Sequence, residues 1–118
     1  MGHAQARGRA AEALAGAFLE LTGHAIEARN TRIAGVEVDL VVTDGTSRAL
    51  VEVKFRGRSD FGGAALAVDH VQRQRLRRAA MTLVGDDLPA VRIDVVAIEL
   101  GEDGASIRHY RNAVREGT

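Results

Sequence analysis

The 118-residue chain contains no cysteine, which excludes disulfides and zinc–thiolate sites. Aromatic residues make up only 3%, too few for a platform on which the bases of a single strand would stack. Net charge is zero, with 16 basic residues against 16 acidic. A strongly non-specific nucleic-acid binder is ordinarily clearly basic, so that class is disfavoured. No apolar run approaches the roughly 18 residues of a membrane span. The N-terminal "MGHAQARGRAAEALAG" lacks the basic, apolar and cleavage regions of a secretory signal. There is no Walker-type glycine loop, nucleophile elbow or dinucleotide fingerprint, and "DFGG" at 60–63 stands without the rest of the kinase set. Internal repeats, low-complexity tracts and interdomain linkers are also lacking. The expectation is one soluble, cytoplasmic domain over residues 1–118, with a core from about 8 to 110 and flexible tails at 1–6 and 112–118.

What is present is a substantial apolar fraction, 46%, and an uneven charge distribution. From Lys54 to Ala80 the chain carries a net +5, and from Gly85 to Gly104 a net −5. The basic stretch favours a polyanionic partner; an arginine-rich solvated helix face explains it equally well.

Periodicity gives the elements. In "RAAEALAGAFLELTG", Leu14, Phe18 and Leu21 recur at helical spacing, widened by Ala11 and Ala15, and Gly23 ends the helix. "HAIEARNTRI", "VEVDLVV" and "ALVEVKF" read as strands, the last two separated by a turn at Asp44-Gly45. "DHVQRQRLRRAAMTLVG" is a second helix with Asp69 and Gln72 as a capping box and Gly85 as its close. Pro89 opens the segment before "AVRIDVVAIEL", an interior strand, and "ASIRHYR" is an edge strand. The order α-β-β-β-α-β-β predicts a single α/β domain, a mixed sheet flanked by helices.

The chemistry-bearing residues lie on the second hairpin. Alternation puts Glu37 and Asp39 on one face, opposite Val36, Val38 and Leu40, and Glu52 and Lys54 on one face, opposite Val51, Val53 and Phe55. Closing the hairpin at Gly45-Thr46 sets Asp39 opposite Glu52 and Glu37 opposite Lys54. Two readings fit. One is a set of ordinary cross-strand ion pairs on a solvated face. In the other, Asp39 and Glu52 hold a divalent cation between them and Lys54 assists the attacking water, a set of parts for metal-assisted phosphodiester hydrolysis.

Several segments in order, "GRAAEALA", "ARNTR", "VEVDLV", "LVEVKFR", "FGGA", the arginine-rich helix and "RIDVVAI", resemble the small bacterial YraN-like family over about Gly8 to Ile98. That family is similar to archaeal Holliday-junction resolvases in the restriction-endonuclease-like PD-(D/E)xK superfamily. The resemblance implies that fold and a nuclease dependent on Mg²⁺ or Mn²⁺, acting on DNA that is branched or otherwise structured, with a homodimer as its usual form. It implies Asp39 and Glu52 as metal carboxylates, the Val53 carbonyl as a further ligand, Lys54 as the catalytic lysine and Glu12 as a helix glutamate supporting the metal. Glu37 becomes a partner of Lys54. Gln72 stands where the family usually has lysine and Val36 where it usually has glycine. Arg56, Arg58, Arg73, Arg75, Arg77 and Arg78 are the expected phosphate contacts. The alternatives are a non-catalytic nucleic-acid-binding or assembly module of the same fold, or a structural homodimer. His3, His24, His70 and His109 show no ligand spacing and are expected on the surface or in loops, and Asp94 is expected in a strand with no chemistry assigned.

Overall fold

The computed structural model describes residues 3–57, 70–84 and 91–114, with side chains from residue 5 onward. Helix α1 (His3–Leu21) leads into β1 (Ala25–Ile33), β2 (Val36–Thr43) and β3 (Arg48–Arg56). Helix α2 (His70–Leu83), β4 (Val91–Gly101) and β5 (Gly104–Tyr110) follow. The five strands form one sheet in the order β1-β2-β3-β4-β5. All neighbours are antiparallel except β3 and β4, which run parallel from Arg48↔Val91 to Arg56↔Glu99. The expected order and mixed sheet are therefore the observed ones, with β4 interior and β5 at an edge. Asp60, Asp69, Gly85, Pro89 and the "DFGG" loop lie outside the described residues. Helix α1 begins at His3, the first buried residue among those described being Ala11, and Val114 is buried with residues of β4 and α2.

Each helix covers one face of the sheet. Leu76, Ala79 and Ala80 of α2 pack on Val41, Leu50, Ile93 and Val95. Ala11, Ala15 and Leu19 of α1 pack on Leu40, Val42, Ala49, Val51, Val96 and Ile98. This double cover explains why β4 is buried without a break from Ile93 to Ile98.

The α1 contact face is rotated from the one that leucine spacing predicts. Leu14 and Leu21 are 41% and 87% exposed, while Ala11, Ala15 and Leu19 are buried. Small residues win because the helix lies close to the sheet. A Cβ on Gly16 would come within 2.7 Å of the Arg29 guanidinium and 3.1 Å of Ile26. The helix ends as expected at Gly23, φ +97°, where the His24 N–H donates to the Leu19 carbonyl (2.9 Å) and the Gly23 N–H to that of Glu20 (3.2 Å).

The hairpin joining β2 and β3 has the predicted register, from Thr43↔Arg48 to Leu40↔Val51. Its turn is fixed by the Asp44 carboxylate, which accepts from the Thr46 and Ser47 N–H groups (both 2.9 Å). The β1–β2 connection is a two-residue turn with positive φ at both Ala34 (52°) and Gly35 (78°), the twist that suits a tight hairpin.

Candidate metal and nucleic-acid site

The β2–β3 ladder stops at Leu40↔Val51, so the expected pairings of Asp39 with Glu52 and of Glu37 with Lys54 do not form part of it. Instead the Asp39 carboxylate takes the place of a strand and accepts the Val53 N–H at 2.8 Å. A backbone irregularity lies level with it in the neighbouring strand. Asn30 of β1 adopts a left-handed φ of 48° and falls between the pairs Arg29↔Leu40 and Thr31↔Val38, which keep one register on either side of it. Side-chain alternation in β2 switches at the same level. Val36 and Val38 join the α2 core, whereas Leu40 and Val42 join the α1 core. That corrects the simple alternation expected for Val36, Val38 and Leu40 as one face. The sheet forks at Asp39, and a residue in a fork is reachable from both sides.

Glu52 and Lys54 follow Val51 on the part of β3 that has left β2 but stays paired with β4, and share the α2 face with Leu50. Lys54 Nζ lies 3.7 Å from Glu52 Oε1, and both side chains are largely covered, 26% and 13% exposed. The Gln72 side chain reaches down from α2 to hydrogen-bond Glu52. A residue in a strand sends its N–H and C=O to the same edge, so the Val53 carbonyl leaves toward the side of the fork that Asp39 occupies.

The electrostatics of this group are unresolved by its own partners. Burial pushes the Glu52 carboxyl up to about 7, the Asp39 charge adds to the rise, and Lys54 and Gln72 offset only part of it. Asp39 is raised as well, first by burial, against the Val53 N–H, with Glu12 adding repulsion and Lys54 attraction. Negative charge from α1, β2 and β3 therefore converges here. Among the described residues no three His, Asp or Glu side chains are arranged as a metal-binding group. Mg²⁺ needs only one or two carboxylates besides waters and substrate oxygens. Two carboxylates and a carbonyl, all hard oxygens, suit such an ion, and a cation between Asp39 and Glu52 would offset the burial that raises both and the Asp39 charge that raises Glu52 further.

Asp39 and Glu52 line a cleft of about 550 Å³ together with Gln72, Arg75, Arg78 and Arg32. A smaller one of about 230 Å³ continues past Asp39 toward α1 and is lined by Glu12, Asn30, Thr31 and Arg32. Thus Asp39, Glu52, Gln72, Arg75 and Arg78 come together on one cleft, whose lining does not include Lys54, while Glu12 lines the smaller cleft that shares Asp39. Arg73 and Arg77 are half-buried on α2 and Arg56 on β3, none of them in that lining. Arg58 lies outside the described residues. Glu37 is not the partner of Lys54: it pairs across the hairpin with Arg32 at 3.2 Å. Arg32 was overlooked in the sequence because the arginine count favoured α2, although "ARNTR" contains it.

A second polar cluster lies on the other face. Asp94 is fully buried and accepts from the Arg92 guanidinium (3.3 and 3.2 Å), His109 Nε2 (2.9 Å) and the Asn112 N–H (2.8 Å). Burial alone would raise its carboxyl; these donors hold it below the ordinary value. His24 is buried too, against the expected surface position. It meets His109 edge to face with ring centroids 5.5 Å apart. No spacing in the sequence announces this, because His24, Asp94 and His109 belong to a helix cap and two different strands.

Comparison with known proteins places the chain among relatives. A family model described as "Uncharacterised protein family UPF0102" matches residues 11–98. A UPF0102 protein of Halorhodospira halophila is 41% identical over 110 residues, 93% of this chain and 88% of that protein. One of Dechloromonas aromatica is 43% identical over 109 residues, covering 92% and 90% of the two chains. One of Solibacter usitatus is 47% identical over 98 residues, covering 79% and 74%.

Proposed function

The chain belongs to the UPF0102, or YraN, family, and we propose that it is a divalent-metal-dependent nuclease hydrolysing DNA phosphodiesters. The observation that carries this reading is the pair of covered carboxylates, Asp39 and Glu52, both raised by burial, in an arginine-rimmed cleft, with Lys54 beside Glu52. A purely structural ion pair does not call for a second carboxylate that raises the first. Asp39, Glu52 and the Val53 carbonyl would hold Mg²⁺ or Mn²⁺, which when bound polarises a phosphate oxygen and makes hydroxide available near neutral pH.

The remaining roles fall to this chain's own groups. The Lys54 ammonium offsets charge that builds on the phosphate oxygens and hydrogen-bonds the attacking water. The Gln72 side chain, bonded to Glu52, fixes the orientation of that carboxylate; standing where lysine is usual, it contributes no charge. Glu12 adds negative potential beside Asp39 and so favours a cation there. Arg75 and Arg78, on the cleft wall, hold phosphates to either side of the bond that breaks. Branched or otherwise structured DNA is the proposed substrate, and a homodimer the proposed form, matching the near-twofold shape of a four-way junction.

The test is cleavage of labelled four-way junction, flap, single-stranded and duplex DNA in Mg²⁺ and Mn²⁺. The natural protein should cut only with metal, and Asp39→Asn and Lys54→Ala should each lower the rate by about a hundredfold or more. Cleavage that survives both substitutions would sink the site assignment. Salt-sensitive binding with no cleavage would instead favour a non-catalytic binding module.

A further inference from the structure

Arg32 and Glu37 sit directly opposite each other on the β1–β2 hairpin. Arg32 Nη2 reaches Glu37 Oε1 at 3.2 Å, and Arg32 Nη1 donates to the Gly35 carbonyl at 3.2 Å. The second bond straps the tight turn in which Ala34, a residue with a Cβ, is held at a left-handed φ of 52°. Hairpin geometry therefore aims this guanidinium. The ion pair itself is loose: its side chains are 67% and 80% exposed, a setting in which water competes well and one anion readily replaces another.

Position gives the pair a use. Arg32, Glu37 and Asp39 line both the cleft toward α2, with Arg75 and Arg78 on its far wall, and the one toward α1, with Glu12, Asn30 and Thr31. A strand laid through both clefts must pass Arg32 where it passes Asp39. A guanidinium has five N–H donors in a rigid fork. With one kept on Gly35, it still presents enough to grip two phosphate oxygens. A phosphate arriving there meets Glu37 on the same cation, and the two anions exclude each other.

We infer that Arg32 binds a backbone phosphate of the nucleic-acid strand where the two clefts meet, and that Glu37 is the internal anion it gives up to do so. The inference rests on the nuclease reading of the cleft and deepens it. It adds a phosphate contact from β1, on the side of Asp39 away from the α2 arginines. It also gives Glu37 a role other than partner of Lys54: it weakens binding and so raises the threshold for strands that cannot reach Arg32.

The experiment measures binding of a fluorescein-labelled four-way DNA junction by anisotropy over a salt series, with Ca²⁺ replacing Mg²⁺. Arg32→Ala, Arg32→Lys and Glu37→Gln are compared with the natural protein, and thermal melting checks that each is folded. Losing one phosphate contact should lower the slope of log affinity against log salt by about one for Arg32→Ala. Arg32→Lys should restore that slope with incomplete affinity, since ammonium is a point charge. Glu37→Gln should tighten binding about threefold at low salt. An unchanged slope in a folded Arg32→Ala protein would overturn the inference while leaving metal-dependent cleavage, and with it the nuclease reading, intact. If Arg32→Ala does not fold, an unchanged affinity in Glu37→Gln overturns it. A natural protein that neither binds nor cuts the junction removes both readings together.

Discussion

Two carboxylates at adjacent positions of the sheet behave in opposite ways. Asp94 of β4 is in register with Val51 and Glu52 of β3 with Val95, one step along the same parallel pair and therefore on opposite faces. Burial pushes both carboxyls up. Asp94 nevertheless lies below its ordinary value, because a guanidinium, an imidazole and a backbone N–H all point at it. Glu52 rises to about 7, because its help from Lys54 and Gln72 is set against the charge of Asp39. The difference is one of donors, not of depth. On the α1 face a complete set of donors turns a buried charge into an anchor for the C-terminal segment. On the α2 face an incomplete set, Lys54 and Gln72, offsets only part of what raises Glu52.

The comparison breaks most visibly at Asp94. Asp94→Ala leaves Arg92 and His109 without their shared anion and the Asn112 N–H without its acceptor. Val114, buried with residues of β4 and α2, is then held by the Ala113 N–H bond to the Ile93 carbonyl (2.8 Å) without the Asn112 bond beside it. A buried pair deprived of one partner costs about 3–5 kcal/mol, to be read from the midpoint of urea unfolding. A loss below about 1 kcal/mol would mean that the α1-face cluster is decoration and that the contrast drawn from it is empty.

The opposite substitution should have the opposite sign. Glu52→Gln keeps the shape and removes a charge that the fold tolerates poorly. It should therefore stabilise the protein by roughly 1–2 kcal/mol at pH 8, while removing cleavage if Glu52 holds metal. The pH dependence follows from the two directions. Glu52, at about 7 in the fold against an ordinary 4.5, keeps a proton that the unfolded chain releases. Its contribution is thus present in acid and is lost as pH rises from 4.5 through about 7. Asp94, lowered from 3.8, contributes above that value and loses its contribution as pH falls below it. Stability should peak on the acid side of neutrality. Glu52→Gln should flatten the neutral limb and leave the acid limb, and a neutral limb unchanged by that substitution would remove Glu52 as its source.

How much of this was legible in the sequence depends on how local the signal is. Valine alternation and the Asp44-Gly45 turn give the element order and the β2–β3 register, since both are set by residues within a few positions of each other. Of the expected α1 stripe Ala11 and Ala15 are buried and Phe18 packs on the core, whereas Leu14 and Leu21, which apolarity alone brings in, are exposed. Closeness of packing favours Ala11, Ala15 and Gly16, and that depends on Arg29 and Ile26 of β1. Spacing brings Asp39, Glu52 and Lys54 together and the family resemblance singles them out, but neither shows the fork that separates Asp39 from the ladder. It lies level with the left-handed Asn30, in a strand that the motif does not contain. His24, Asp94 and His109 meet only after a helix cap and the β4–β5 register bring them together. A pattern read along one strand has no means of registering such a cluster.

The smallest effect is also the one that separates the two faces without mutating either. If the α2-face carboxylates want a cation, Mg²⁺ should raise the melting temperature at pH 8, where Glu52 is ionised, and should do so less at pH 5.5, where its proton competes. Binding to the folded state alone contributes about 1 kcal/mol at roughly five times the dissociation constant, which corresponds to a rise of roughly 4–5 °C for a domain of this size. Asp39→Asn should abolish the rise, because the remaining carboxylate has lost the neighbour whose repulsion the ion relieves. Asp94→Asn, though less stable overall, should keep it, because Asp94 already has its donors and gives the ion nothing. An equal rise in Asp39→Asn would place the ion elsewhere. The exposed Glu99, Glu102 and Asp103 around the β4–β5 turn are the first place to look, since they carry negative charge with no burial to make a cation necessary.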